Sequence, residues 1–190
     1  GFAHLGMLRV LEREGLRPDL VVGTSAGAIV GSMYASGLSV DQIDSAVEQL
    51  DWTVLFDFDP LRAVVSGLGL GLLQGERLEQ FLRAHLHTPI EDFPIAFASV
   101  AADMESGDVV PLNHGDAARA VRSSCAVPGI YAPVRARGRL LGDGQIVSPL
   151  PVLSRLPGAY SILPTIRRAC RCCSTSDRPC AGSSRRNPES

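Results

Sequence analysis

The sequence contains no lysine: all 18 basic residues among its 190 residues are arginines, set against 20 acidic residues. The formal net charge of −2 argues against nucleic-acid binding by the chain as a whole. It also lacks a run of 18 apolar residues, so we expect no membrane-spanning helix. No signal peptide is recognisable at Gly1, where the chain begins without Met. These absences favour a globular protein in a cytoplasmic or membrane-peripheral location.

The charge that is present is divided unevenly along the chain. Residues 1–155 contain 18 acidic residues and 12 arginines, a balance of −6, whereas residues 156–190 have a balance of +4. Four of the five cysteines lie in the second part, without the spacing of a usual zinc site and without histidine, so no metal is predicted. We therefore predict one domain over residues 1–153 and an atypical, disordered tail over residues 154–190. The abrupt change of composition suggests a shifted reading frame in the tail.

The pattern of apolar residues predicts alternating helices and strands. Apolar spacing and end signals predict helices over 2–14, 26–35, 39–50, 76–86 and 116–123. Short β-branched or apolar runs predict strands over 20–22, 94–101, 108–112 and 139–141. This alternation is typical of a layered α/β fold with a mainly parallel sheet. The irregular stretch over 51–74 is expected to cover a site as a lid or wall.

A possible catalytic serine lies between the first predicted strand and the helix after it. The motif is Gly23-Thr24-Ser25-Ala26-Gly27, which fits the G-x-S-x-G pattern in the strand–turn–helix context that the pattern requires. A sharp turn of this kind pushes a hydroxyl out of the backbone, and the N–H groups of the following helix favour developing negative charge. The alternative reading is an ordinary tight turn.

The general base is less obvious, because no histidine follows Asp143 and the four histidines lie in unpromising settings: His4, His85, His87 and His114. Asp143 is the better candidate, since Gly142-Asp143-Gly144 lies at a predicted strand end, where catalytic loops of open α/β sheets gather. A partly desolvated carboxylate beside a serine can accept its proton directly. The alternative is a plain Asp-Gly turn.

Four blocks in the same order resemble the patatin-like phospholipase family, particularly its bacterial members, from Gly1 to about Leu153. They are Gly1-Phe2-Ala3-His4-Leu5-Gly6, Val21-Val22-Gly23-Thr24-Ser25-Ala26-Gly27-Ala28, the segment from Ala120 to Gly129, and the segment from Leu141 to Val152. The resemblance implies a three-layer α/β/α fold and a lipid or lysolipid ester hydrolase. It also implies a Ser–Asp dyad that needs no metal or organic cofactor.

In that dyad Ser25 matches the nucleophile that forms an acyl-enzyme, and Asp143 matches the proton acceptor. The sequence departs from the family pattern twice. Only the last glycine of the family's Gly-rich oxyanion loop is matched, by Gly1, which indicates truncation at the N-terminus. Gln145 stands where the family has Gly or Ala, and this change is expected to affect how Asp143 is presented.

Two other functions stay open at this point. One alternative to the hydrolase is a truncated non-catalytic remnant or binding module. The other is an acyltransferase that uses the same acyl-enzyme. Peripheral membrane contact through the apolar stretch Leu68-Gly69-Leu70-Gly71-Leu72-Leu73 is a further expectation, with a buried wall segment as its alternative.

Overall fold

The computed structural model describes residues 2–50 and 73–148. Gly1, most of the predicted lid and of the apolar stretch 68–73, and the predicted tail over 154–190 lie outside the described residues. The elements in chain order are α1 (Phe2–Arg13), β1 (Leu20–Gly23), α2 (Ala26–Ala35), α3 (Val40–Glu48), α4 (Glu76–His85), β2 (Ala96–Asp103), β3 (Val109–Leu112), α5 (Ala117–Ser124), β4 (Val134–Ala136) and β5 (Arg139–Asp143). There are also two short 3₁₀ turns: Ile90–Asp92 precedes β2, and Gly144–Ile146 follows β5.

The sheet is built around β2, which pairs with β1, β3 and β5, while β4 pairs with β5. β1 runs parallel to β2, with Leu20 opposite Ala96 and Gly23 opposite Ser99. The other three pairings are antiparallel. The α/β class is therefore confirmed, but among the described strands the predicted parallel pairing holds only at β1–β2, and the sheet is mixed. For two of the three antiparallel pairings, β2–β3 and β4–β5, the reason is a short connecting turn, which can join only antiparallel neighbours.

Small residues let α2 pack closely on the sheet. The backbone of Gly31 lies against Val21 of β1 and Phe97 of β2, which are register partners on one face. Ser99, two residues after Phe97 and thus on the same face, donates a hydrogen bond of 3.2 Å to the Ala120 carbonyl of α5. Helices α2 and α5 therefore cover the same face of β2, where the main core cluster forms.

The helix ends follow local rules that the sequence states directly. Ser39 and Gln42 form a capping box at the start of α3, as predicted from the serine at this position. Asp116 caps α5 by accepting a 3.0 Å hydrogen bond from the Arg119 N–H. None of the helices in the described part of the chain is long and apolar enough to span a bilayer.

One strand, β4, was not predicted. It lies between Pro133 and the last predicted strand, where the sequence pattern assigned no element. It is only three residues long and pairs through a hairpin whose first turn residue, Arg137, has φ of 52°. Strands of this length have too few positions for alternation to be visible in the sequence.

Replacing glycine by alanine should have opposite effects on stability at two helical glycines, Gly31 and Gly6. A Cβ at Gly31 would lie 2.9 Å from Val21 Cγ1, whereas one at Gly6 would meet no atom within 4 Å. We expect Gly31→Ala to destabilise the fold by about 1–2 kcal/mol through overpacking. Gly6→Ala should stabilise it by up to about 1 kcal/mol through helix propensity. Urea unfolding monitored by circular dichroism measures both, and equal effects at the two positions would contradict this account of α2 packing.

Candidate active site

Ser25 occupies the turn between β1 and α2 in a backbone conformation that L-residues rarely adopt. Its φ is 53° and its ψ is −124°, and it immediately precedes the first residue of α2. Such a conformation costs of order 1–3 kcal/mol and persists only where the surroundings impose it. The strand–turn–helix context predicted for the G-x-S-x-G motif is thus present, with the serine in a strained conformation.

Two glycines allow backbone segments to approach the turn. A Cβ at Gly23 would lie 2.5 Å from the Gly27 carbonyl oxygen, and one at Gly144 would lie 2.3 Å from the Val100 carbonyl oxygen. Because both obstacles are backbone atoms, neither contact can be relieved by moving a side chain. The same Cβ at Gly144 would lie 3.0 Å from Thr24 Cγ2, so the turn after β5 is packed against the Ser25 turn.

Ser124, the last residue of α5, holds the strained turn in place. Its hydroxyl accepts a 2.9 Å hydrogen bond from the Ser25 N–H and donates one of 2.5 Å to the Val100 carbonyl of β2. Ser124 is fully buried, so these bonds form where water does not compete. The sequence reading missed this residue. The signal was the Ser123-Ser124 pair at the end of a helix whose other residues are alanine, valine and arginine.

Asp143 lies at the end of β5, only 2% exposed. Its N–H donates a 2.8 Å hydrogen bond to the Ala126 carbonyl, and its Oδ1 accepts one of 2.8 Å from the Gln145 N–H. Gln145 therefore acts through its backbone, as a Gly or Ala would, and the residue is exposed. The departure from the family pattern at position 145 leaves these contacts of Asp143 intact.

The second carboxylate oxygen of Asp143, Oδ2, is buried and has no hydrogen-bond partner. Thr24 Oγ1, beside the Ser25 turn, is a second buried oxygen without a partner. Buried polar atoms in native proteins are nearly always hydrogen-bonded, and exceptions concentrate at functional sites. The Ser25 turn and the turn at Asp143 are thus in contact, and each contributes one buried oxygen without a hydrogen-bond partner.

Cys125 lies between the two predicted catalytic residues. Its neighbour Ser124 holds the Ser25 backbone, and its other neighbour, Ala126, holds the Asp143 backbone. The pKa of the Cys125 thiol is raised to about 12, chiefly by burial and also by the charge of Asp143, against smaller opposing effects of Arg122 and of a hydrogen bond with Ser25. The Cys125 side chain is buried. Its interactions with both site residues were not predicted.

The first turn of α2 presents its N-terminal end beside Ser25. The N–H groups of Gly27 and Ala28 are used, bonding the Thr24 and Ser25 carbonyls at 2.9 and 2.8 Å. Ala26, the first helical residue, is exposed. The partial positive charge of a helix N-terminus favours an oxyanion at this point. Gly1, predicted as the remnant of an oxyanion loop, lies outside the described residues.

None of the four histidines hydrogen-bonds to Ser25. The exposed His4 packs against the start of α2, with Nε2 at 3.5 Å from where a Cβ on Gly27 would be. His85 Nδ1 lies 2.8 Å from the Phe81 carbonyl oxygen, and its ring packs on Phe81. His87 and His114 are exposed. In residues 2–50 and 73–148 no group of three or more side chains has the arrangement of a metal site.

Arg122 fixes the α5 end of the site to the chain that precedes α4. This buried guanidinium donates hydrogen bonds to the carbonyls of Gln74, Gly75 and Ala132, and it lies 5.0 Å from the ring centroid of Tyr131. Leu73 pairs with the same loop, through a 2.8 Å bond from its N–H to the Ile130 carbonyl. The sequence reading did not single out Arg122, because one arginine in a helix usually lies on a solvated face.

Comparison with known proteins supports this fold and identifies a family. The family model described as patatin-like phospholipase matches residues 1–156. An uncharacterized NTE family protein of Mycobacterium tuberculosis is 34% identical over 153 residues, which are 80% of this chain and 41% of that protein. Lysophospholipase NTE1 of Lodderomyces elongisporus is 28% identical over 160 residues, covering 80% of this chain and 11% of its own length.

A solved structure gives independent support for the fold. The crystal structure of VipD from Legionella pneumophila superposes with a TM-score of 0.52 at 18% identity, over 76% of this chain and 43% of that chain. This likeness concerns the fold alone. The chain spans about two fifths of the mycobacterial relative and a smaller part of the fungal one. Since the family model covers most of the sequence, the resemblance inferred from the four motif blocks is confirmed, and the chain belongs to the patatin-like phospholipase family.

Proposed function

We propose that this chain is a serine acyl hydrolase that cleaves carboxylic esters of lipids, of the phospholipid or lysophospholipid type, with Ser25 as nucleophile and Asp143 as base. The observation that carries the proposal is the buried, unpartnered Asp143 Oδ2 at a turn packed against the strained Ser25 turn. Membership of a family of lipid hydrolases supports the reaction class, and the name of the fungal relative supports a lysophospholipid as substrate.

In the proposed reaction Ser25 Oγ attacks the carbonyl carbon of the ester, and its proton passes to Asp143 Oδ2. The oxyanion forms towards the N-terminus of α2, where the helix dipole stabilises it. Collapse of this intermediate breaks the ester C–O bond, and the alcohol leaves with the proton held by Asp143. Water then attacks the acyl carbon and gives one proton to Asp143. The bond between Ser25 Oγ and the acyl carbon breaks, Asp143 returns the proton to Ser25 Oγ, and the carboxylic acid is released.

The first test removes each proposed catalytic group. We expect Ser25→Ala and Asp143→Asn each to lower the turnover of p-nitrophenyl acyl esters and lysophosphatidylcholine by about 10³-fold or more. Asp92→Asn, at an exposed carboxylate in a 3₁₀ turn, is the matched control and should stay near wild type. Turnover is measured in the 190-residue chain and in any longer natural form. No turnover in any form would favour the non-catalytic alternative. Activity retained in Asp143→Asn would show that Asp143 is not the base.

The second test concerns positioning by Ser124. Ser124→Ala leaves the Ser25 N–H and the Val100 carbonyl without their partner. We expect kcat to fall by about 10- to 100-fold with little change in KM, together with a loss of about 1–3 kcal/mol of stability. Ser123→Ala is the control, since its hydroxyl bonds only the Arg119 carbonyl within the same helix. Equal kinetic losses in the two variants would show that helix stability, and not the Ser25 turn, is responsible.

The third test separates a serine enzyme from a thiol enzyme. With a pKa of about 12, the Cys125 thiol loses its proton only when pH rises towards 12, so at pH 8 only about one thiol in 10⁴ is ionised. We expect iodoacetamide at pH 8 to leave Cys125 unmodified in the native protein, as measured by peptide mapping, and to leave ester turnover intact. Labelling of Cys125 in proportion to lost activity would instead make the thiol the nucleophile.

A further inference from the structure

A cavity of about 320 Å³ lies away from the Ser25 turn, between α5, the β3–α5 turn and the β4–β5 hairpin. Its floor is apolar, formed in part by Leu112, Ala120 and Ala136. Its rim has three exposed arginines, namely Arg119, Arg135 and Arg137. The proposed ester hydrolysis uses neither this apolar floor nor the arginines around it.

The rim arginines are held by neutral groups. Arg119 donates a 2.8 Å hydrogen bond to the Arg135 carbonyl, and Arg137 donates one of 3.1 Å to the His114 carbonyl. These bonds connect opposite walls of the cavity and use one N–H of the five on each guanidinium. Within the described residues none of the three arginines forms an ion pair with a carboxylate. Apart from a weak charge interaction between Arg137 and Glu91, their positive charge has no paired carboxylate among these residues.

The acidic groups nearest the cavity have other partners. Asp116 lines it, but its carboxylate forms an ion pair with Arg83 at 2.6 Å and caps α5. Glu91 accepts a 2.7 Å hydrogen bond from the Gly115 N–H, and its pKa is lowered mainly by that bond and less by His114 and Arg137. The rim is thus a local basic patch on a part of the chain, residues 1–155, whose balance of charge is −6.

We propose that this cavity binds an amphiphile with a phosphate head, the phosphate held by the arginine rim and a short apolar group lying on the cavity floor. A guanidinium matches phosphate oxygens in charge and in geometry, and it can donate two parallel hydrogen bonds. The apolar floor gives the site a preference for an alkyl phosphate over free phosphate. Binding here does not require Ser25 or Asp143.

The test measures binding of hexyl phosphate and of inorganic phosphate by isothermal titration calorimetry, using the Ser25→Ala chain so that ester turnover has no part in the signal. We expect hexyl phosphate to bind more tightly than inorganic phosphate, and Arg135→Gln to weaken it by about tenfold. Arg135 is the sharpest choice because its side chain does not anchor either wall. Arg17→Gln, the same charge change on the α1–β1 loop, should stay within twofold.

Two further arms identify where the phosphate head comes from. Vesicles of phosphatidylcholine with and without phosphatidic acid are sedimented with the same variants. If the protein sediments with vesicles only when they contain phosphatidic acid, and Arg135→Gln reduces this, the phosphate is a headgroup in a bilayer. If hexyl phosphate binds but the vesicles do not, the ligand is a free amphiphile. Both results support the site. The proposal is overturned if neither probe binds, if hexyl phosphate binds no better than inorganic phosphate, or if Arg135→Gln binds as well as Arg17→Gln.

Discussion

The two hydrogen bonds of the Ser124 hydroxyl are the constraint on which the candidate site depends. One fixes the Ser25 N–H and the other fixes the Val100 carbonyl of the central strand. The same carbonyl lies so close to Gly144 that no side chain fits there. The end of α5, the middle of β2 and the turn after β5 are therefore held in one arrangement, and the buried position of Ser124 keeps these bonds from exchanging with water.

This arrangement supports two features that a fold without a function would avoid. Ser25 has a strained backbone, and Asp143 Oδ2 is buried without a partner. Each lowers stability, the first through an unfavourable φ and the second through desolvation of a carboxylate oxygen. Violations of local rules that coincide at one contact are expected where a site has chemistry to perform, which is why they support the proposed hydrolase.

Much of the architecture could be predicted because local signals were strong. Helix α2 was predicted with its observed bounds from a run of small apolar residues, and α3 from its capping serine. The direction of strand pairing could not be predicted in the same way. Strand direction depends on whether the connection is a crossover or a hairpin, and the short turns at 104–108 and 137–138 made the β2–β3 and β4–β5 pairings antiparallel. The antiparallel β2–β5 pairing joins strands far apart in the chain, for which the sequence has no local signal. β4 was too short to show a pattern.

By itself the sequence determined the family, the α/β class and the position of Ser25 in a strand–turn–helix motif, because these follow from residue type and spacing along the chain. It also singled out Asp143, from its glycine neighbours and the lack of a histidine after it. Only the tertiary structure decided that Ser124 holds the Ser25 backbone and that Ala126 holds the Asp143 backbone. It also decided that Asp143 Oδ2 has no hydrogen-bond partner and that three arginines meet around a cavity. These relations join residues far apart in the chain, and their distances are set by how helices pack on the sheet, for which local sequence has no signal.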